Sequence, residues 1–263
     1  MENKRADRQW FIRKIILFVF ACIVFVGFVI TDLVIKPEIV SKKKYEMPEK
    51  NVAMKILDLS AWNEVTDWGK IKDSGVDGVI LRIARYNLGF DPKFDEYYNA
   101  AKEQGLYVGC YFFMNATTEK EAEEDALYVI DIIKKGQYEF ELPVFYDVED
   151  DGTNGNTVSH LSRKELTNII KAFCEKMLEN NFYAGYYCNL NFVAGEIYPE
   201  KLYKYPFWMA AWDRDIEGDE YPNLTVWQAT DSFSIQGVTE PCDLNYCFVD
   251  FEGYILKKGY NVY

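Results

Sequence analysis

Apolar runs and amphipathic segments alternate along the chain from Met54 onward, and that rhythm predicts the fold. MKILDLS (54–60) reads as a strand, 67–74 as a short helix ended by Gly75, and VDGVILRIA (76–84) as a second strand. DPKFDEYYNAAKEQG is a helix with Asp91 as N-cap, Pro92 at its first position and Gly105 at its end. LYVGCYFFM (106–114) is a third strand. The next helix, TTEKEAEEDALYVIDIIKKG, carries acids early and Lys134-Lys135 late, matching the helix dipole. ELPVFYDVE is a fourth strand, followed by a helix that opens on the capping box Ser162–Glu165. A fifth strand spans 183–189, and a short helical piece lies within 192–203. PFWMAAW (206–212), LTVWQAT (224–230) and DLNYCFV (243–249) are further strands with no helix-length segment between them. Residues 251–263 read as a final short strand or tail.

Five βα repeats followed by three strands predict an α/β fold, an irregular TIM-like (β/α)5(β)3 barrel covering 53–263. Near-continuous apolar strands such as GVILRIA suit a parallel sheet covered on both faces. A doubly wound open sheet is the rival. DLSAWNEV stands after the first strand where a dinucleotide fold would place a glycine-rich turn, and this argues against the rival.

The N-terminal pattern is different. Residues 15–30 form an uncharged run, IILFVFACIVFVGFVI, which LVI extends past Asp32. A membrane-crossing helix needs about 20 residues, and Arg13, Lys14 and Lys36 can snorkel at the ends. The run exceeds a signal-peptide core and lacks a small-x-small cleavage site. It predicts an uncleaved, single-pass signal anchor over 15–35, preceded by a cytoplasmic tail over 1–14 that holds Lys4, Arg5 and Arg8. Residues 36–52, polar and with two prolines, read as a tether. The expected location is the cell membrane, with the globular part extracellular.

Charge narrows the partners. Residues 1–50 hold 10 basic and 6 acidic side chains, against 19 and 36 in the remainder. A globular part that acidic repels nucleic acid, so no nucleic-acid partner is expected. Beyond Cys22 the cysteines are five, without a C-x-x-C pair, and are expected as free, buried thiols. His160 is the single histidine and is expected at the surface. Ser-His and Cys-His mechanisms and His-rich zinc sites thereby lose their central residue. No metal or cofactor is expected.

In a barrel of this kind, residues at the C-terminal strand ends form the site. Those ends hold Asp58, Arg82, Tyr111, Asp147, Glu149, Tyr187, Asn189, Trp212, Gln228 and Asp243. Asp147 and Glu149 are two apart on one strand, so they project to one side. Like charges that close, beside apolar rings, push one carboxyl upward, as a general acid at neutral pH requires. Paired carboxyls in an aromatic groove suggest glycoside hydrolysis, although D-x-E alone also fits a solvated strand end. Trp62 and Trp68, in a helix-like segment, read as packing residues.

The ordered segments ILDLSAWNEVTDWGKIKDSGVDGVILRIA, DPKFDEYYNAAKEQGLYVGCYFF, LPVFYDVED, GYYCN, FWMAAW, VWQAT and CDLNYC resemble glycoside hydrolase family 25 over nearly all of 54–250. The resemblance implies an N-acetylmuramidase (lysozyme) that cuts the β-1,4 bond after N-acetylmuramic acid in peptidoglycan. Its catalytic domain is expected to be monomeric, with peptidoglycan strands and, through the anchor, the membrane as partners. Glu149 matches the family's general acid, Asp147 its strand partner, and Asp58 and Asp243 the two further acids. Tyr111, Tyr187, Trp208 and Trp212 fall in segments matching the sugar-binding wall, with Gln228 and Arg82 beside them. Arg82 is expected to organise the acids by ion pairing. Two departures stand out: Phe112 where the family carries His, with an expected change in subsite contacts, and the extra acid Asp150. Two other readings stay open. A chitinase-like barrel would need acids where Leu142 and Phe145 stand. A non-catalytic wall-binding module would keep the groove without turnover.

Overall fold

In the computed structural model, which describes residues 50–86, 89–150, 158–212, 216 and 221–261, eight strands close into a barrel. They are β1 (Lys50–Leu59), β2 (Gly78–Arg85), β4 (Tyr107–Phe113), β5 (Val144–Asp147), β6 (Ala184–Asn189), β7 (Phe207–Ala210), β8 (Leu224–Phe233) and β9 (Cys242–Val249). A two-residue β3 (Gly89–Phe90) pairs with β2 outside the ring. Hydrogen bonding runs β1-β9-β8-β7-β6-β5-β4-β2, and β2 pairs with β1 to complete the circuit. Neighbours are parallel except where β9 enters, antiparallel to both β1 and β8.

The period of two along each strand sorts its residues into two layers. Ile56, Ile80, Phe145, Trp208, Val226 and Cys247 fill the barrel interior. Leu57, Val79, Leu81, Tyr146 and Tyr186 belong to the outer layer, against the helices. Those helices are α1 (Trp68–Asp73), α2 (Phe94–Glu103), α3 (Glu119–Gly136), α4 (Arg163–Glu179), α5 (Leu190–Gly195) and α6 (Phe251–Lys258). The capping box Ser162–Glu165 opens α4 as expected, and Thr118–Glu121 forms a second one at α3. Leu166, Ile169, Ile170, Phe173 and Met177 recur at helical spacing and bury one face of α4.

Four expectations are corrected. The helix after β3 begins at Phe94, so Asp91 is not its N-cap. Its carboxylate instead accepts from the amides of Lys93 (2.9 Å) and Ala61 (3.2 Å) and pairs with Arg82. β1 starts at Lys50, three residues inside the expected tether. Residues 251–258 are helical, because a turn of helix brings Phe251 and Ile255 to one face, where both bury near Tyr183. Asn261 ties this end down, accepting from Tyr183 N at 3.0 Å and donating to Phe140 O at 3.1 Å. Phe112 faces the helices and not the barrel mouth. It stacks on Tyr146, 6.3 Å between centroids, so the missing imidazole changes the outer layer and not the groove.

The apolar run and tether expected over 15–49 lie outside the described residues. Among the described residues, no helix is long and apolar enough to cross a membrane. Cys110, Cys174, Cys188, Cys242 and Cys247 are free and buried, and His160 is exposed.

A close interior contact stands at Gly185 of β6. A Cβ there would stand 2.2 Å from the Pro206 carbonyl oxygen and 3.0 Å from the Phe145 ring. Gly185→Ala is expected to push β6 from β7 and cost about 1–3 kcal/mol, read from urea denaturation midpoints.

Candidate active site

Three strands deliver the acids to one end of the barrel. β1 ends in Asp58-Leu59, and its inward parity through Ile56 places Asp58 in the interior. β5 ends at Asp147, with the Val148 amide still donating to Tyr187 O at 2.9 Å. Glu149 therefore lies just past the strand, half-buried, while Asp147 is only 5% exposed and Asp150 is exposed. Asp243 was expected at a C-terminal strand end. It is instead the second residue of β9, and the antiparallel entry of that strand sets it directly across from Asp58.

Two amides hold the Asp58–Asp243 pair. Asn245 donates to Asp58 Oδ2 at 2.7 Å, and Gln228 Nε2 donates to Asp58 Oδ2 at 3.1 Å and Asp243 Oδ2 at 3.2 Å. Gln228 Oε1 accepts from Tyr187 OH at 3.3 Å and Trp212 Nε1 at 3.1 Å. Its amide is thus engaged at both ends, and Gln228 is only 3% exposed, so it braces the acids on one side and Tyr187 and Trp212 on the other. Trp208 is likewise buried. Its Nε1 donates to Asn245 Oδ1 at 2.7 Å, and Tyr111, Phe145 and Tyr187 pack around it. At 2% exposure it forms an aromatic floor beneath these acids. Trp212, four residues on, is 47% exposed, and a cavity of about 370 Å³ opens beside it along Asn189, Leu190, Ala210 and Ala211.

Burial sets the electrostatics. Loss of hydration lifts the Asp147 carboxyl well above the usual carboxylate range. The charges of Glu149 and Asp58 add to this, against Arg82 and Arg85. Asp147 Oδ1 is buried with no hydrogen-bond partner among the described residues. Burial also raises Asp58, while hydrogen bonds from Asp243, Asn245 and Gln228 pull it back. Asp243 is pushed up to about 9, first by burial, then by the Asp58 charge and the proton it donates to Asp58. Burial raises the Tyr111 and Tyr187 hydroxyls, and the same acids add to it: Asp58, Asp147 and Asp243 for both, with Glu149 for Tyr187. A site that keeps protons on buried carboxyls at neutral pH can perform acid catalysis without an imidazole.

Arg82 does not bond to these acids. It pairs with Asp91 through its terminal nitrogen at 2.7 Å and its Nε at 2.8 Å. The sequence reading gave Asn245 no role and Asp91 only that of a helix cap. Asn245 was legible in DLN, since a residue two from Asp243 shares its face. The long-range partner of Asp91 left no local signal. Among the described residues, no group of three or more His, Cys, Asp or Glu is arranged to hold a metal ion.

Residues 57–238 match the sequence profile of the Glycosyl hydrolases family 25. The Escherichia coli K12 protein YegX is 25% identical over 220 residues, covering 75% of this chain and 74% of its own length. The autolytic lysozyme of Clostridium acetobutylicum is 23% identical over 200 residues, 73% of this chain and 55% of that protein. Among solved structures, the modular autolysin LytC of Streptococcus pneumoniae matches with a TM-score of 0.65 at 25% identity over 74% of this chain. This chain spans 46% of LytC. LytC has also been solved in complex with a synthetic peptidoglycan ligand.

Asp243 carries a testable sign. Its folded-state carboxyl sits at about 9 against 3.8 for a free aspartate, so folding takes up a proton between those values. Stability from this group is full at acid pH and is lost as pH rises toward about 9. Asp243→Asn keeps a donor for Asp58 and does not titrate. Urea denaturation is expected to show the variant gaining on the parent steadily from pH 5 to pH 8.

Proposed function

Because the chain belongs to the Glycosyl hydrolases family 25, we propose that it is a cell-wall muramidase that hydrolyses the β-1,4 bond between N-acetylmuramic acid and N-acetylglucosamine in peptidoglycan. The observation that carries this reading is the gathering of Asp58, Asp147 and Asp243 at one barrel mouth, within the electrostatic reach of Glu149. A wall-binding module without turnover has no use for buried carboxyls held protonated at a cost in stability. The chitinase-like reading lacks its two upstream acids, and the family match points elsewhere.

In the proposed reaction Asp147 and Glu149 hold one proton between them. Glu149, the half-buried member beyond the strand, delivers it to the glycosidic oxygen as the bond from that oxygen to the anomeric carbon breaks. Asp147, left as a carboxylate, stabilises the oxocarbenium-like centre together with the muramic acetamido group. Water then adds to the anomeric carbon, and its proton returns to the carboxylates through Glu149. Asp58 and Asp243, braced by Gln228, keep the opposite wall of the mouth in register.

The same reading includes the anchor. We place the enzyme at the cell membrane, with 15–35 as a single-pass anchor, 1–14 cytoplasmic and a monomeric catalytic domain outside, working on the nearby wall. Hydropathy and flanking charge of the sequence support this placement.

The test is release of reducing ends from purified peptidoglycan by the detergent-solubilised full chain. Glu149→Gln is expected to lower kcat by about 10²–10⁴-fold. Mass spectrometry of the parent's products should place N-acetylmuramic acid at the new reducing end. Undiminished wall clearance by Glu149→Gln contradicts the assignment.

A further inference from the structure

Trp62 is 72% exposed on the loop that follows β1, which removes it from the packing role its sequence context suggests. The loop is tightly held. Trp62 N donates to Ser60 Oγ at 3.2 Å, Ser60 N to Asn63 Oδ1 at 3.0 Å, and Ala61 N to Asp91 Oδ2 at 3.2 Å. Tyr97 OH donates to Asn63 O at 2.6 Å. On one face of the indole stands the Arg82 guanidinium, 5.9 Å from the ring centroid and itself pinned by Asp91. The exposed area is therefore on the other face. A large apolar ring displayed on a fixed backbone contributes nothing to the core and suits a ligand with an apolar face of its own. Pyranose rings offer such faces through their C–H groups.

The topology says where that ligand would run. Arg82, beneath Trp62, belongs to β2, and Trp212 follows β7. In the closed ring these two strands are four steps apart in either direction, so they are diametrically opposed. The line between them has β1, β9 and β8 on one side, with Asp58, Asp243 and Gln228. On the other side lie β4, β5 and β6, with Tyr111, Asp147 and Tyr187. Exposed indoles thus mark the two ends of a line that passes between the two acid pairs.

We propose that Trp62 is a second saccharide platform and that the glycan strand crosses the mouth from Trp62 to Trp212, flanked by Asp147–Glu149 and Asp58–Asp243. This rests on the muramidase reading for the identity of the glycan. The test is calorimetric binding of a soluble, uncrosslinked N-acetylglucosamine–N-acetylmuramic acid hexasaccharide to the full chain carrying Glu149→Gln. Adding Trp62→Ala is expected to weaken binding about tenfold, and Trp62→Phe to restore most of the loss. Thermal melting should be unchanged in both, since the ring is exposed. An unchanged dissociation constant with Trp62→Ala, or no binding by the Glu149→Gln parent, overturns the platform. If the unmutated chain releases no reducing ends while binding still depends on Trp62, the hydrolase reading fails and the platform stands.

Discussion

The site depends on one strand running against its neighbours. β9 enters the closing gap of the barrel antiparallel to β1 and β8, and only that direction sets Asp243 opposite Asp58. Two carboxyls in that register cannot both be ionised in a buried mouth, so they share a proton. The arrangement costs stability and is held by Asn245 and Gln228, whose amides have few other arrangements open to them. Asn245 also anchors the Trp208 indole, and Gln228 also anchors Tyr187 and Trp212. One hydrogen-bonded layer across β1, β9, β8, β7 and β6 therefore fixes both the acids and the aromatic floor.

Opposite this layer, β5 presents Asp147 with an unpartnered buried oxygen and Glu149 just beyond it. The two walls differ in character. Asp58 and Asp243 are held by the amides of Gln228 and Asn245, which suits a scaffold that keeps the pair in place. Asp147 keeps one buried oxygen without a protein partner among the described residues, which suits a group that exchanges a proton. Arg82 bonds to neither pair, holding Asp91 and standing over the Trp62 ring, and acts on Asp147 only through its charge.

Much of this was legible in the sequence. The eight barrel strands follow from apolar runs, α4 from its capping box, and the acid set from strand ends and the family resemblance. Direction was not legible: the pattern of β9 reads the same whichever way the strand runs, so its antiparallel entry and the position of Asp243 needed the fold. Depth was not legible either. Trp208 and Trp212 share a parity, yet one pairs in register with Tyr187 inside the barrel and the other lies past the strand end. Asp91-Pro92 looks like a helix entry, and the competing Arg82 contact is tertiary. The helix at 251–258 was hidden by Gly253 and its brevity; burial of Phe251 and Ile255 outweighs that weak propensity.

The central claim is that the barrel mouth holds carboxyl protons at neutral pH. Carbon-13 NMR of side-chain carboxyls in aspartate-labelled protein, followed from pH 3 to pH 10, tests it most directly. The account predicts that the Asp243 carboxyl carbon stays at the protonated shift through pH 7 and titrates near 9, with Asp147 also titrating well above the usual aspartate range. If both titrate near the free-aspartate value of 3.8, the mouth does not hold its protons and the proposed chemistry loses its proton source.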